Sequence, residues 1–170
     1  MKATVSMNPC SLPQEFERTF QEHYRLIYRT AYRVTGTAED AEDVLQTVFL
    51  KLMRSSSREG FRENPKAYVY RSAVNLSLDV IRNRRRRILP AEFVPHLSPV
   101  HDTPIQESLR EAMSKLNPKA AEILILRYVH GYTDAEIAKF LGTSRATIAV
   151  SLFRARARIR KLMKPGGGKP

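Results

Sequence analysis

Tryptophan is absent from the 170 residues, and cysteine occurs once, at Cys10. A lone cysteine leaves no disulfide framework, so a reducing compartment, the cytoplasm, is the expected setting. No apolar run approaches the roughly 20 residues of a membrane-spanning helix, and the N-terminus shows no signal-peptide pattern. The histidines His23, His96, His101 and His130 have no cysteine or carboxylate at ligand spacing, which argues against a metal site. No nucleophile elbow occurs. The tail Gly166-Gly167-Gly168-Lys169-Pro170 lacks the strand and helix that frame a phosphate loop, and reads as a flexible terminus. These absences argue against an enzyme and against a bound cofactor.

Positive charge is abundant. The formal net charge is +12 and the sequence pI about 10.2. The charge is uneven: +6 over residues 1–87, −2 over 88–106 and +8 over 107–170. Two basic blocks around a slightly acidic one suit two surfaces for a polyanion, though a membrane surface would attract them too. At this length the chain holds one domain or two small ones with a real core.

The most informative stretch is Tyr132 to Lys161. Thr133 and Glu136 have capping-box spacing. Ile137, Ala138 and Leu141 form a short apolar stripe, and Gly142 permits a tight turn. Ser144 then caps a longer helix, whose Ile148, Leu152, Ala155, Ile159 and Leu162 share one face. Arg145, Arg154, Arg156, Arg158, Arg160 and Lys161 occupy the remainder. A short helix, a glycine turn and a basic second helix predict a helix-turn-helix that places its second helix in the DNA major groove. The alternative is a surface hairpin with solvated arginines.

Residues 1–13 lack periodicity and are expected to be disordered. A helix is predicted from Gln14 to Gly36, with Phe16, Phe20, Ile27, Ala31 and Val34 repeating and Tyr24 beside them. Thr37 starts a second, ending near Arg54, with Ala41, Val44, Leu45, Val48, Phe49 and Leu52 buried. Its other face carries Glu39, Asp40, Glu42, Asp43 and Gln46, which serve either solubility or docking of a basic partner. After a polar loop, Ser55–Asn64, with the lone aromatic Phe61, Asn64-Pro65 opens a third helix. Tyr68, Val69, Ala73, Leu76, Val80 and Ile81 form its stripe, while Tyr70, Arg71 and Asn75 can point elsewhere. Arg82 and Arg84-Arg85-Arg86-Arg87 follow. Aromatics and asparagine beside arginines suit unpaired bases and phosphates, or else mark a solvated boundary. Residues 88–106, with Pro90, Pro95, Pro99 and Pro104 and no basic residue, read as a flexible linker. The expected fold is all-α, with helical domains at 14–87 and 107–164, the latter a helix-turn-helix, and a flexible tail at 165–170.

Asp40-Ala-Glu-Asp-Val-Leu-Gln-Thr-Val-Phe49 resembles the acidic D-A-E-D-x-x-Q-x-x-F motif in the second conserved region of bacterial sigma factors. Ala67-Tyr-Val-Tyr-Arg-Ser-Ala-Val-Asn-Leu76 is similar to the adjoining promoter-melting segment, and Tyr132–Leu162 to their fourth region. Lacking the first and third regions, the chain resembles the small extracytoplasmic-function (ECF) class. The resemblance implies a factor that binds core RNA polymerase, through its β and β′ subunits, and promoter DNA. Asp40, Asp43, Gln46 and Phe49 would belong to the helix that docks on the β′ clamp helices. The loop bearing Phe61 would capture a flipped base of the downstream element. Tyr68, Tyr70, Arg71 and Asn75, with Arg82, Arg84 and Arg85, would contact or support the melted strand, and the linker would thread along the core enzyme. An anti-sigma factor clasping both domains is also implied.

The upstream element would be read by the helix from Ser144, and there the chain departs from the family. The common Gly-Thr-Val-Lys/Arg-Ser-Arg run is here Ala146-Thr147-Ile148-Ala149-Val150-Ser151. The face opposite the buried stripe is Ala146, Val150, Phe153 and Ala157, with Ala149 beside it. Arg154, Arg156 and Arg158, with Arg145 and Thr147 at the helix start, would then grip the backbone. Apolar contact with thymine methyls and DNA shape would discriminate bases, unless that face binds a protein. Three other readings stay open: a stand-alone helix-turn-helix regulator, a sigma-like adaptor that sequesters a regulator, and a membrane-surface protein.

Overall fold

A computed structural model of the chain describes residues 14–54, 61, 63–87 and 103–163. The segment 1–13, most of the loop 55–64, the linker as far as residue 102 and the tail 165–170 lie outside the described residues, as do the side chains of Phe16, Arg85, Arg86 and Arg87. Seven helices and no strand occur among the described residues: α1 Gln14–Thr35, α2 Ala38–Arg54, α3 Pro65–Arg87, α4 Pro104–Ser114, α5 Pro118–Tyr128, α6 Asp134–Leu141 and α7 Arg145–Met163. The all-α class is as the sequence predicts.

Helix boundaries follow local chemistry. Gly36, at φ 87°, ends α1, and the Asp40 amide donates to the Thr37 hydroxyl at 3.3 Å to open α2. The Ala67 amide donates to the Asn64 side chain at 2.9 Å, with Pro65 in the first helical position of α3. One boundary differs from expectation. Pro104 and Gln106, assigned to the linker, form the first turn of α4, because Thr103 and Gln106 complete a capping box around a proline whose missing N–H costs nothing there.

α1, α2 and α3 share a core of Ile27, Ala31, Ala41, Val44, Val48, Leu52, Val69 and Ala73, so α1 and α2 bury each other as predicted. A second core joins the two helical units by packing as well as by the linker. Val34, Tyr70, Val74, Leu78 and Ile81 pack together with Leu116, Ala121, Leu124, Ile125, Ile137, Ile148 and Leu152. α3 therefore buries two faces. Val69 and Ala73 turn toward α1 and α2, while Tyr70, Val74, Leu78 and Ile81, at spacings of four, four and three, turn toward the C-terminal helices. Burial of Val74, Leu78 and Ile81 stabilises that contact by about 2 kcal/mol each. A stripe count assumes one partner per helix, which is why the second face escaped it.

No helix among the described residues is long and apolar enough to cross a membrane.

Candidate nucleic-acid interface

The helix-turn-helix forms as its sequence predicts. Thr133 and Glu136 make both capping-box hydrogen bonds, and Gly142 adopts the left-handed conformation, at φ 67°, that turns the chain. The Thr147 amide donates to the Ser144 hydroxyl at 3.1 Å, starting α7, and the two side-chain oxygens lie 2.8 Å apart. Ile148, Leu152 and Ala155 are buried. On the opposite side Ala146, Ala149, Val150, Phe153 and Ala157 are exposed, Val150 at 49% and Phe153 at 69%. A contiguous apolar strip of this kind marks a contact surface. Arg145, Arg154, Arg156 and Arg158 are exposed around it. Arg156 is held: its Nε donates to the Tyr128 hydroxyl at 2.6 Å and its guanidinium lies 5.7 Å from the ring centre.

On α2, Glu39, Glu42, Asp43 and Gln46 are exposed, while Asp40 and Phe49 are partly buried. The Asp40 carboxylate accepts from the Thr37 hydroxyl at 2.6 Å and from the Arg84 guanidinium. Phe49 packs on Phe20 at 4.8 Å between ring centres. Glu42, Asp43 and Gln46 are thus the reachable members of the acidic motif, and Asp40 and Phe49 hold its helix.

The residues expected to meet a melted strand are placed differently. Phe61 is only 2% exposed and belongs to the N-terminal core, with Tyr68 edge-on to it at 5.7 Å. It does not stand out to receive a base. Tyr70 is fully buried and its hydroxyl donates to the Glu122 carbonyl at 2.7 Å. Arg71 donates to the Leu141 carbonyl at 3.3 Å and lies 3.6 Å from the Glu122 carboxylate. Arg82 donates to the carbonyls of Ser114 and Leu116 at 3.0 and 3.4 Å. Arg84 turns back to the α1–α2 junction, donating to the Thr35 carbonyl and the Thr37 hydroxyl. Asn75 is exposed on α3.

These contacts share a pattern. Asn64 donates to the Phe140 carbonyl at 2.9 Å, and Arg29 to that of Val129 at 3.5 Å. α4, α5 and α6 therefore each end against a donor from the N-terminal half, where helix carbonyls lack partners and the dipole favours cations. Gly36 belongs to the same seam, since a side chain there would collide with the Arg110 guanidinium.

Two titratable groups sit in the seam. The side chain of Glu122 is 7% exposed, and burial raises its pKa against the pull of Arg71 and Lys119. His130 lies 3.0 Å from the Thr30 hydroxyl, edge-on to Tyr70 and near Tyr132. Burial, then the Arg29 charge, lowers its pKa to about 4. Its unfolded value is higher, so the unfolded chain takes up the proton first as pH falls. The native state is expected to lose about 2 kcal/mol between pH 7 and pH 5 from this group. Denaturant unfolding at both pH values checks this, and His130→Gln is expected to remove that increment. Neither group belongs to a recognisable motif. For Glu122 a signal existed, as the one charge inside the apolar run Ala120–Leu126.

Residues 19–87 match the family described as sigma-70 region 2, and residues 106–159 match sigma-70, region 4. The chain is 30% identical over 154 residues to the RNA polymerase sigma-E factor of Streptomyces coelicolor, covering 86% of this chain and 85% of that protein. It is 28% identical over 152 residues to the ECF RNA polymerase sigma factor SigM of Mycobacterium tuberculosis, covering 87% and 76%. Among solved structures, the sigma factor RpoE in complex with the anti-sigma factor NepR from Bartonella quintana is similar at a TM-score of 0.48 and 21% identity, covering 89% of this chain and 98% of that one.

Proposed function

The chain belongs to the sigma-70 family of RNA polymerase sigma factors, in its ECF class, and from that premise we propose how its residues divide the work of initiation. It binds core RNA polymerase and promoter DNA. It is an initiation factor; as a cytoplasmic protein it performs no chemistry of its own, the polymerase doing that. Residues 14–87 serve as the polymerase-docking and melting domain, and residues 107–164 as the upstream-element reader.

The observation that carries this division is an exposed acidic face on α2 in the same chain as an arginine-flanked helix-turn-helix. Asp43 and Gln46 dock on the β′ clamp helices, with Asp40 and Phe49 supporting them. Val150 and Phe153, with Ala149, lie against base edges. Arg145, Thr147, Arg154, Arg156 and Arg158 hold the phosphates. Tyr68 and Asn75 serve the melted strand, joined by Arg71 and Arg82 once the C-terminal half has moved off α3, while Arg84 supports the strand from its place at the α1–α2 junction. Transcription with purified core polymerase on a genomic library tests the whole reading: discrete new start sites are expected only when the chain is added. Duplex binding without new starts would favour the stand-alone regulator.

Promoter preference tests the α7 face. Val150→Arg replaces a methyl contact with a guanine-seeking fork, so base preference in the upstream element is expected to shift by about 1–3 kcal/mol at one position. An unchanged preference in the start-site library would mean that this face binds protein.

An anti-sigma factor is the third partner. A groove of about 420 Å³ between α1, α4, α5 and α7 is floored by Val34, Met113, Leu124 and Ile159 and edged by Arg33 and Arg160. An amphipathic helix with acidic flanks complements it in shape and charge.

A further inference from the structure

A second concavity, of about 590 Å³, opens where α3, the start of α5, the α6–α7 turn and one flank of α7 converge. Its cationic lining is Arg71, Lys115, Lys119, Arg154 and Arg158, against a single carboxylate, Glu122. Lys115 is paired with Glu111 at 2.7 Å, and Arg71 is shared between Glu122 and the Leu141 carbonyl. No hydrogen bond or ion pair engages the side chains of Lys119, Arg154 or Arg158 among the described residues. Arg154 and Arg158, with no carboxylate partner, and Lys119, which feels Glu122 only at a distance, therefore converge on one cleft.

The α7 wall is regular. Thr147, Ser151, Arg154 and Arg158 fall at spacings of four, three and four, so two hydroxyls and two guanidiniums form a single row. This row is not the recognition face: Val150 and Phe153 point away from the cleft and none of the exposed apolar strip lines it. Across the cleft stand Lys119 and Asn117, at the amide end of α5, where the helix dipole adds to the positive field. Guanidiniums, an ammonium and hydroxyls in one row are the donors that phosphate oxygens use. The volume is that of a small-molecule site.

We propose that this cleft binds a polyphosphorylated small anion, with Lys119, Arg154 and Arg158 taking its phosphates and Arg71 supplying the wall from the N-terminal half. Two consequences follow from the placement. Because Arg71 comes from α3 and the other ligands from the C-terminal half, occupancy stabilises the packed arrangement of the halves. Because Arg154 and Arg158 also flank the recognition face, occupancy competes with promoter phosphates. The ligand is thus a negative effector of initiation, sensed by the sigma factor itself.

The test is calorimetric titration of the full chain with inorganic tripolyphosphate and, in parallel, with ATP and with sulfate. Saturable one-to-one binding of tripolyphosphate is expected, with no saturable sulfate binding. Lys119→Ala is expected to weaken it about tenfold, the loss of one charge-assisted contact. Arg71→Lys, which keeps the charge but loses the fork, is expected to weaken it too. Equal affinity for ATP and tripolyphosphate would assign recognition to phosphate alone, and tighter ATP binding would add a nucleoside contact; both support the site. Binding that does not saturate, or that responds to Arg154→Ala but to neither Lys119→Ala nor Arg71→Lys, would overturn it. The latter would place the phosphates on the duplex-facing flank of α7. The unmodified chain's transcription without tripolyphosphate is read separately, so failure of the cleft and failure of the sigma-factor reading are distinguishable.

Discussion

The doubly substituted chain Asp43→Arg, Gln46→Ala is expected to lose start-site-specific transcription by about a hundredfold while keeping its fold. Both side chains are exposed on α2 and neither contributes to the helix's buried row of Ala41, Val44, Val48 and Leu52. Reversing one charge at the centre of a docking face costs about 2–4 kcal/mol in favourable cases, which sets the size of the loss. Co-elution with core polymerase on gel filtration measures binding, and thermal unfolding of the isolated chain verifies that the substitutions act on docking. Asp40→Ala is the informative contrast. Its carboxylate joins Thr37 and Arg84 at the α1–α2 junction, so its loss is expected to lower the melting temperature as well as activity. Full transcription by the double variant would move docking to another surface.

Reversing Glu122 is expected to open the molecule. In Glu122→Arg a second guanidinium faces Arg71 where a nearly buried carboxylate now stands. Breaking a buried pair costs about 3–5 kcal/mol. Arg71 keeps 44% of its side-chain surface in water, so screening reduces this to about 1–2 kcal/mol. Loosened packing uncovers Tyr70 and Val74, and the radius of gyration from small-angle scattering is expected to rise. Binding of the free chain to single-stranded promoter DNA is expected to increase about tenfold, in line with that energy. The charge swap Arg71→Glu, Glu122→Arg is the control for misfolding, since it restores an opposite-sign pair and is expected to return the compact radius. A radius unchanged in the single variant would mean that the apolar seam of Leu78, Ile81 and Leu116 holds the halves alone.

The sequence spoke most clearly where structure is local. The Thr133–Glu136 box, the Gly142 turn and the α7 stripe are set by neighbours within a few residues, and each appears where its spacing places it. The acidic face of α2 was equally legible, although its pattern could not reveal that Asp40 is tied to Arg84, a residue 44 positions away. Non-local choices were hidden for the same reason. Tyr70 and Phe61 are aromatic side chains suited both to stacking on bases and to filling a core, and only the arrival of α5 and of α2 decides for the core. His130 and Glu122 owe their shifted pKa values to burial, His130 beside Tyr70 and near the Arg29 charge and Glu122 against Arg71, and no window over the sequence brings these distant residues together.

The guanidiniums that end on helix carbonyls also bear on how the chain behaves in a cell full of DNA. A genome offers about 10⁶–10⁹ non-specific sites, and each phosphate contact a protein can make adds about 0.9 to the steepness of its salt dependence. Arg71 and Arg82 spend the free state against Leu141, Ser114 and Leu116, and Arg84 against Thr35. Three cations of a strongly basic protein are thereby withheld from that sink, while the acidic α2 face remains open to solvent. The salt dependence of the free chain's non-specific DNA binding is therefore expected to be shallower than its formal charge implies.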